Sequence, residues 1–268
     1  MLELLQYDFF VNALIASLLA SIAFGIIGSF VVIKRIVFIS GGIAHTAYGG
    51  IGLGFLLGFS PLLGAMIFAV GAGLFVAVMK YSDNQKEDSL IGIMWSLGMA
   101  LGVLFISLKE GYVPNLMGYL FGNILTIPRE ELFMMLGFDI VIVSIVVIFF
   151  KQFQAITFDE EFAKVIGLPV RSLYILLLVL IALTTVILIK LVGIILVVAL
   201  LTIPATISLM FTKSLKTTMV YSIVLGLFFT IIGLLLSYYL NLVSGATIIM
   251  VAVAGYIIAN IYKKIYFS

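Results

Sequence analysis

Cysteine is absent from this 268-residue chain, histidine and tryptophan occur once each, and only 10% of the residues are charged. Without thiols there are no disulfides and no thiolate metal sites. A single histidine rules out the HExxH pair of a zinc protease, and no pair of aspartates of the kind an intramembrane enzyme needs stands inside an apolar run. No GxxxxGK[ST] loop is present, so the chain offers no P-loop to hold ATP. A basic stretch ahead of the first apolar run is also missing; Glu3 and Asp8 stand there instead. That run is too long for a signal-peptide core, and no cleavable signal peptide is expected.

What the chain has in abundance is apolar surface. Hydrophobic residues make up 64% of it, against about half in a soluble domain. They fall into long runs: Val11–Ile33, Ile36–Phe59, Leu62–Met79, Leu90–Leu108, Leu132–Phe150, Leu173–Ile189, Val192–Phe211, Met219–Leu240 and Ile248–Tyr262. Each is about 17–25 residues, enough for a helix to cross a hydrocarbon core of about 30 Å. None alternates apolar and polar as a transmembrane β-strand would. The fold class expected is all-α: a polytopic transmembrane bundle of about 8–9 spans in a single domain over residues 1–268. The least certain pair is Leu173–Ile189 and Val192–Phe211, which almost touch and contain Pro204.

With nine spans, eleven of the fourteen Lys and Arg residues fall on one side: Lys34, Arg35, Lys80, Lys86, Lys151, Lys164, Arg171, Lys213, Lys216, Lys263 and Lys264. The positive-inside rule places that side in the cytoplasm, with the N-terminus outside and the C-terminus inside. The outer segments then carry Glu3, Asp8, Glu110, Glu130 and Glu131 beside Lys109, Arg129 and Lys190. This mildly acidic face suits a cation or a basic partner, or is simply solvated surface.

The informative cytoplasmic segment is AITFDEEFAKVIGLPVRSLY, residues 155–174. Thr157 and Glu160 have capping-box spacing, which predicts a helix starting near Phe158. Gly167 and Pro169 predict its stop, leaving about nine residues. Phe162, Val165 and Ile166 share one face, and Asp159, Glu160 and Lys164 lie toward the other. An amphipathic helix on a lipid surface is one reading, but its net acidity opposes an anionic leaflet. A short helix presenting apolar knobs to a groove on a cytoplasmic partner is the other.

The lone histidine lies in FISGGIAHTAYGGIGLG, residues 38–54. On a helix, Gly41, Gly42, Gly49 and Gly52 share its face. Such a stripe permits close helix packing, with the imidazole satisfied by a neighbour such as Ser40 or Thr46. It equally leaves room around a ligand, and ionisable groups within a membrane are functional candidates. The residues alone leave both open.

Several stretches together resemble the permease subunits of metal-ion ABC transporters, the zinc and manganese uptake class. They are GGIAHTAYGGIGLGFLLG, the region Glu87–Leu108, LFGNIL (Leu120–Leu125), FDEEFAKVIGLPV (Phe158–Val170), VGIILVVALLTIPATIS and LLLSYYLNLVSGATII. The resemblance implies a type II ABC importer-like bundle in a bacterial or archaeal cytoplasmic membrane. It also implies that the chain is not an enzyme and binds no cofactor, with ATP hydrolysed on a separate subunit and a divalent zinc, manganese or iron ion as cargo. Expected partners are cytoplasmic ABC ATPases, an extracytoplasmic metal-binding protein received near Lys109–Glu131, and a second copy of the chain. The coupling segment, about residues 155–171, would use Phe158, Asp159, Glu160, Phe162, Ala163, Val165, Ile166 and Gly167. His45 becomes a metal contact near the path, with Gly41, Gly42, Gly49 and Gly52 as packing or pathway residues.

One departure stands out. Many members of that family carry an aspartate four residues before this histidine, and here the position is Gly41. His45 must then pair with its symmetry mate or with a carboxylate from elsewhere. Asp139 is the only acid well inside a run and is the second metal candidate, alongside bland roles as a structural partner or interface residue. The rival readings are a permease for a chelated metal of the siderophore or cobalamin kind, which typically has a longer chain, and an ion-driven secondary transporter, which should show inverted repeats. Met94, Trp95 and Met99 read as packing rather than copper ligands, Lys190 as snorkelling, and Tyr238, Tyr239 and Asn241 as an interfacial belt. Pro204 is a candidate for a break lining a cavity, and 82–88 reads as a solvated loop with a helix start at Asp88 or Ser89.

Overall fold

The computed structural model describes residues 6–82, 87–110 and 117–266, and the side chains of residues 82, 87, 88, 117 and 190 are not described. Glu3, the loop 83–86, the Lys190 side chain and part of the outer segment (111–116) therefore lie outside the described residues, while the helix start expected at Asp88 or Ser89 falls at Glu87. The helices run α1 (Asp8–Ile33), α2 (Val37–Leu57), α3 (Pro61–Ser82), α4 (Glu87–Ser107), α5 (Met117–Phe121), α6 (Arg129–Ile148), α7 (Phe150–Phe158), α8 (Glu160–Val165), α9 (Val170–Val192), α10 (Val197–Phe211), α11 (Leu215–Leu240) and α12 (Ser244–Tyr266). Among the described residues there is no strand.

Among the described residues eight helical segments are long and apolar enough to cross a membrane, and the chain is a multi-pass integral membrane protein. The ninth expected span, α2, has the length at 21 residues. Its glycines, Ser40, His45, Thr46 and Tyr48 dilute its apolarity, yet 14 of its 21 residues are buried.

The chain divides into two compact units: residues 1–32, 117–143 and 187–268 form the first, and 33–116 with 144–186 the second. In the first, small residues set the helix spacing. A Cβ on Gly25 of α1 would lie 2.7 Å from the backbone nitrogen of Ile223 in α11, and Gly28 abuts Leu201 of α10. Hydroxyls that would be orphaned in an apolar interior turn back on their own helices: Ser17, Ser21 and Ser29 donate to Ala13, Ser17 and Gly25 carbonyls at 2.8, 2.6 and 2.7 Å. Ser222 of α11 also lies 3.4 Å from Ser29 and 3.1 Å from Ser208 of α10, a polar seam between three helices.

The nearly continuous apolar run after Leu173 is split by Gly193. Its φ of 80° ends α9, and a short 3-10 turn over Ile194–Leu196 leads into α10. A side chain there would strike Leu120 and Gly122. Gly122 and Gly245 are packed equally tightly against the chain at Val192, and Ser244 accepts a hydrogen bond from the Ile124 amide at 3.3 Å. LFGNIL is thus knotted to the end of α9 and the start of α12. Pro204 does not break α10, which continues through it; Ser208 donates to the Pro204 carbonyl at 2.8 Å. Asn241 is the left-handed C-cap of α11, its φ 52° and its amide bonded to Ser237 O, a conformation asparagine tolerates.

In the second unit α2 packs against both α3 and α4. Gly50 meets Gly64 of α3 backbone to backbone, and a Cβ on Gly52 would lie 2.6 Å from Gly102 O of α4. Glycine costs about 1 kcal/mol in an exposed helix. Here it is what lets three helices touch.

Candidate functional site

The glycine stripe faces neighbouring helices. A Cβ on Gly42 would lie 2.9 Å from Ile91 Cγ2, and one on Gly49 would lie 3.0 Å from Phe68 and 3.1 Å from Gly98 O. Gly98 in turn presses on Thr46 and the His45 carbonyl, and Gly41 is buried in the same helix. With backbones this close, the His45 ring meets α4 directly.

That ring lies on Trp95, with centroids 3.8 Å apart and planes 15° apart. His45 is only 6% exposed. The two hydroxyls offered by the sequence as partners are committed elsewhere. Ser40 donates to Val37 O at 2.7 Å, and Thr46 reaches Gly42 O at 2.8 Å and Met94 O at 3.2 Å. His45 Nδ1 is buried without a hydrogen-bond partner among the described residues. A buried polar atom left so is costly and asks for a function. Beside the stack a cleft of about 340 Å³ is lined by Phe38, Ile91, Gly92 and Trp95. The stack carries no sequence signal, since His45 and Trp95 are fifty positions apart on different helices.

Asp139 belongs to the other unit. It is 4% exposed on α6, and neither carboxylate oxygen has a hydrogen-bond partner among the described residues. Among the described residues no three His, Asp or Glu side chains gather into a metal-holding group.

The segment between α6 and α9 is built differently from the capping-box expectation. A bend at Phe149 is followed at once by α7, which runs on through Thr157 to Phe158. Thr157 is therefore inside a helix, where its hydroxyl turns back to Phe153 O at 2.6 Å. The cap of the next helix is Asp159, extended at φ −152°, with Oδ1 accepting from the Phe162 amide at 2.9 Å. The helix itself, α8, has six residues rather than about nine. Gly167 stops it as expected: its φ is 81°, and the Gly167 and Leu168 amides close onto Lys164 O and Ala163 O, each at 3.0 Å.

This short helix has two unlike faces. Ala163 is fully buried and Glu160 half-buried. Phe158, Phe162, Val165 and Ile166 are all more than half exposed, with Val165 at 84%. Glu160 Oε1 accepts from Lys34, and from Lys80 at 3.1 Å. Burial alone would raise this carboxyl, but hydrogen bonds and charge from Lys34, then from Lys80, outweigh it and hold it below its ordinary value. On the opposite side Lys164 pairs with Glu161 at 2.7 Å, which raises the exposed ammonium.

A family description, the ABC 3 transport family, matches residues 6–263, and the chain belongs to that family. It is 48% identical over 264 residues to an uncharacterised membrane protein of Synechocystis sp., covering 98% of this chain and 94% of that one. It is 34% identical over 259 residues to the manganese transport system membrane protein MntC of Listeria monocytogenes, covering 97% and 92%. Among solved structures, PsaBC from Streptococcus pneumoniae, in complex with Fab, superposes with a TM-score of 0.87 at 32% identity, covering 96% of this chain and 92% of that one.

Proposed function

We propose that the chain is the permease subunit of an ABC importer that carries a divalent transition metal into the cytoplasm, with manganese the favoured cargo. The observation that carries this reading is the likeness, along almost the whole of both chains, to a manganese transport membrane protein. The geometry supplies a route for the energy. The exposed apolar face made by Phe162 and Val165 of α8, with Phe158 at the end of α7 and Ile166 at the cap of α8, is a knob for a groove on a cytoplasmic ATPase. Asp159 and Gly167 bound that helix, and Ala163 and Glu160 seat it. ATP is hydrolysed on that separate subunit, the permease itself being non-catalytic.

Two copies of the chain would form the pore, with the N-terminus outside and the C-terminus in the cytoplasm, in keeping with the side that collects most Lys and Arg. A metal-binding protein delivers the ion near Lys109–Glu131. Within the membrane the ion meets His45, whose Nδ1 is unspent; Asp139, in the other unit, is a second and separate candidate donor, whose oxygens are unspent. Imidazole and carboxylate suit manganese, zinc and ferrous iron alike. With glycine at position 41, each helix offers a single donor there, which gives a weak contact of the kind that lets an ion leave.

The test is ATP-dependent uptake into proteoliposomes containing the chain and its ATPase, with manganese, zinc or iron on the cognate binding protein. Manganese uptake that His45→Ala abolishes without loss of assembly supports the whole reading. Uptake of zinc or iron alone overturns the manganese assignment, and uptake of none moves the cargo to a chelated metal.

A further inference from the structure

The outward face of α8 explains how a partner is met, but not how a push on six residues reaches the membrane helices. A helix this short has little stiffness of its own and is joined to α7 through a single extended residue, Asp159. Something must clamp it. In the second unit that clamp is one carboxylate and two ammonium groups.

Glu160, the first residue of α8, points away from the apolar face. Its Oε1 is shared by Lys34, from the connection between α1 and α2, and by Lys80, from the last turn of α3. Lys34 also donates to Ile156 O at 2.6 Å, in the last turn of α7, so its ammonium spans the elbow between α7 and α8. Both ammonium groups lie over the ring of Tyr174 on α9, 4.0 Å from its centroid for Lys80 and 5.5 Å for Lys34. Tyr81 of α3 packs edge-on against that ring at 5.9 Å. Four chain segments thus converge on Glu160: the α7–α8 elbow, the α1–α2 connection, α3 and α9.

The chemistry is lopsided in a way that makes Glu160 the keystone. Lys34 is nearly buried, its side chain 6% exposed, and Lys80 is 20% exposed. Two partly dehydrated cations stand side by side, and among the described residues the Glu160 anion lies between them. Remove that anion and they repel each other as well as releasing α8, an asymmetry general to shielded ion pairs. A neutral glutamine keeps the shape and loses the clamp.

We infer that Glu160 is a positioning residue that couples α8 mechanically to α3, α9 and the α1–α2 connection through Lys34 and Lys80. The inference rests on the proposal that α8 meets the ATPase, yet it concerns the opposite face of the helix. ATPase binding and force transmission are therefore separable: the apolar face governs the first and Glu160 the second.

The experiment uses the complete complex in proteoliposomes, reading ATPase copurification, ATP turnover and manganese uptake side by side. Glu160→Gln is expected to keep the ATPase bound and turning over while uptake per ATP hydrolysed falls about tenfold, the scale of a typical coupling free energy. The conservative variant Glu160→Asp retains a carboxylate facing Lys34 and Lys80, and is expected to keep most of the coupling that Glu160→Gln loses. Unchanged uptake per ATP in Glu160→Gln overturns the inference. So does a Glu160→Asp variant that assembles and is as uncoupled as Glu160→Gln, and Lys80→Gln, expected to lose part of the coupling, decides the matter if the Glu160 variants fail to assemble. Phe162→Asp serves as the separate arm: an ATPase that stays bound and coupled to that variant refutes docking at α8 and leaves the Glu160 result to be read by itself.

Discussion

The imidazole of His45 lies flat on the indole of Trp95, centroids 3.8 Å apart. Because Trp95 is the sole tryptophan, the emission of the isolated chain excited beyond the tyrosine band is the emission of this stack. His45→Leu should therefore brighten and shift the emission, and manganese, being paramagnetic, should quench it in the unmodified chain more than in the variant. Equal quenching in both would detach the ion from this helix.

The apolar knobs of α8 give a second test. Phe162 is 57% exposed, so Phe162→Asp should change the stability of the chain by no more than about 0.5 kcal/mol. Its effect should instead appear in binding to the ATPase. Loss of an interface anchor costs about 2 kcal/mol or more, roughly thirty-fold in affinity. Pull-down titration of the detergent-solubilised chain measures it.

Glycine positions separate packing from tolerance. Gly52→Val puts atoms into Gly102 of α4. Overpacking of this kind costs about 1–3 kcal/mol or more, and should lower the thermal midpoint in detergent. Gly71 and Gly92 have open space around a would-be Cβ. Gly71→Ala or Gly92→Ala should leave the midpoint unchanged or raise it by an amount worth up to about 1 kcal/mol.

The Glu160 clamp has a defined pH window. Its carboxyl titrates below the ordinary 4.5 because Lys34 and Lys80 favour the charged form. The stabilisation is complete above that ordinary value and is lost as the pH falls through the lowered folded one. Hydrogen-exchange protection of α7 and α8 should stay level from about pH 8 to 5 and drop only once the pH falls below the carboxyl's ordinary 4.5, a drop that Glu160→Gln should lack. A decline beginning near neutrality would point to some other group.

The cap at Asp159 offers the last test. Replacing it with alanine removes the acceptor for the Phe162 amide, at a cost of about 0.5–2 kcal/mol. Thr157→Ala removes only a hydroxyl that bonds back within α7, so it should fray α8 far less. Exchange rates at the Glu161 and Phe162 amides distinguish the two.

Some of this was legible in the sequence for reasons that are local. Gly167 ends its helix because glycine followed two residues on by proline permits little else, and φ is indeed 81° there. The apolar residues of α8 share a face because helical spacing requires it. Thr157 misled for an equally local reason: its capping-box spacing is real, but α7 already runs through it, and a continuous helix has no use for a cap in its middle. Asp159, two residues on, did the capping.

The sequence by itself determined a polytopic helical membrane protein without a P-loop, and marked both the histidine helix and the short helix before α9. Those features depend on sums over neighbouring residues: hydropathy, charge and helical period. Tertiary structure decided that His45 meets Trp95, that Gly122, Gly193 and Gly245 knot LFGNIL to α9 and α12, and that Glu160 turns inward to two lysines. Each of these joins residues far apart in the chain. Which faces meet depends on how each helix is rotated and how near glycine lets it come, and no local sum contains that information.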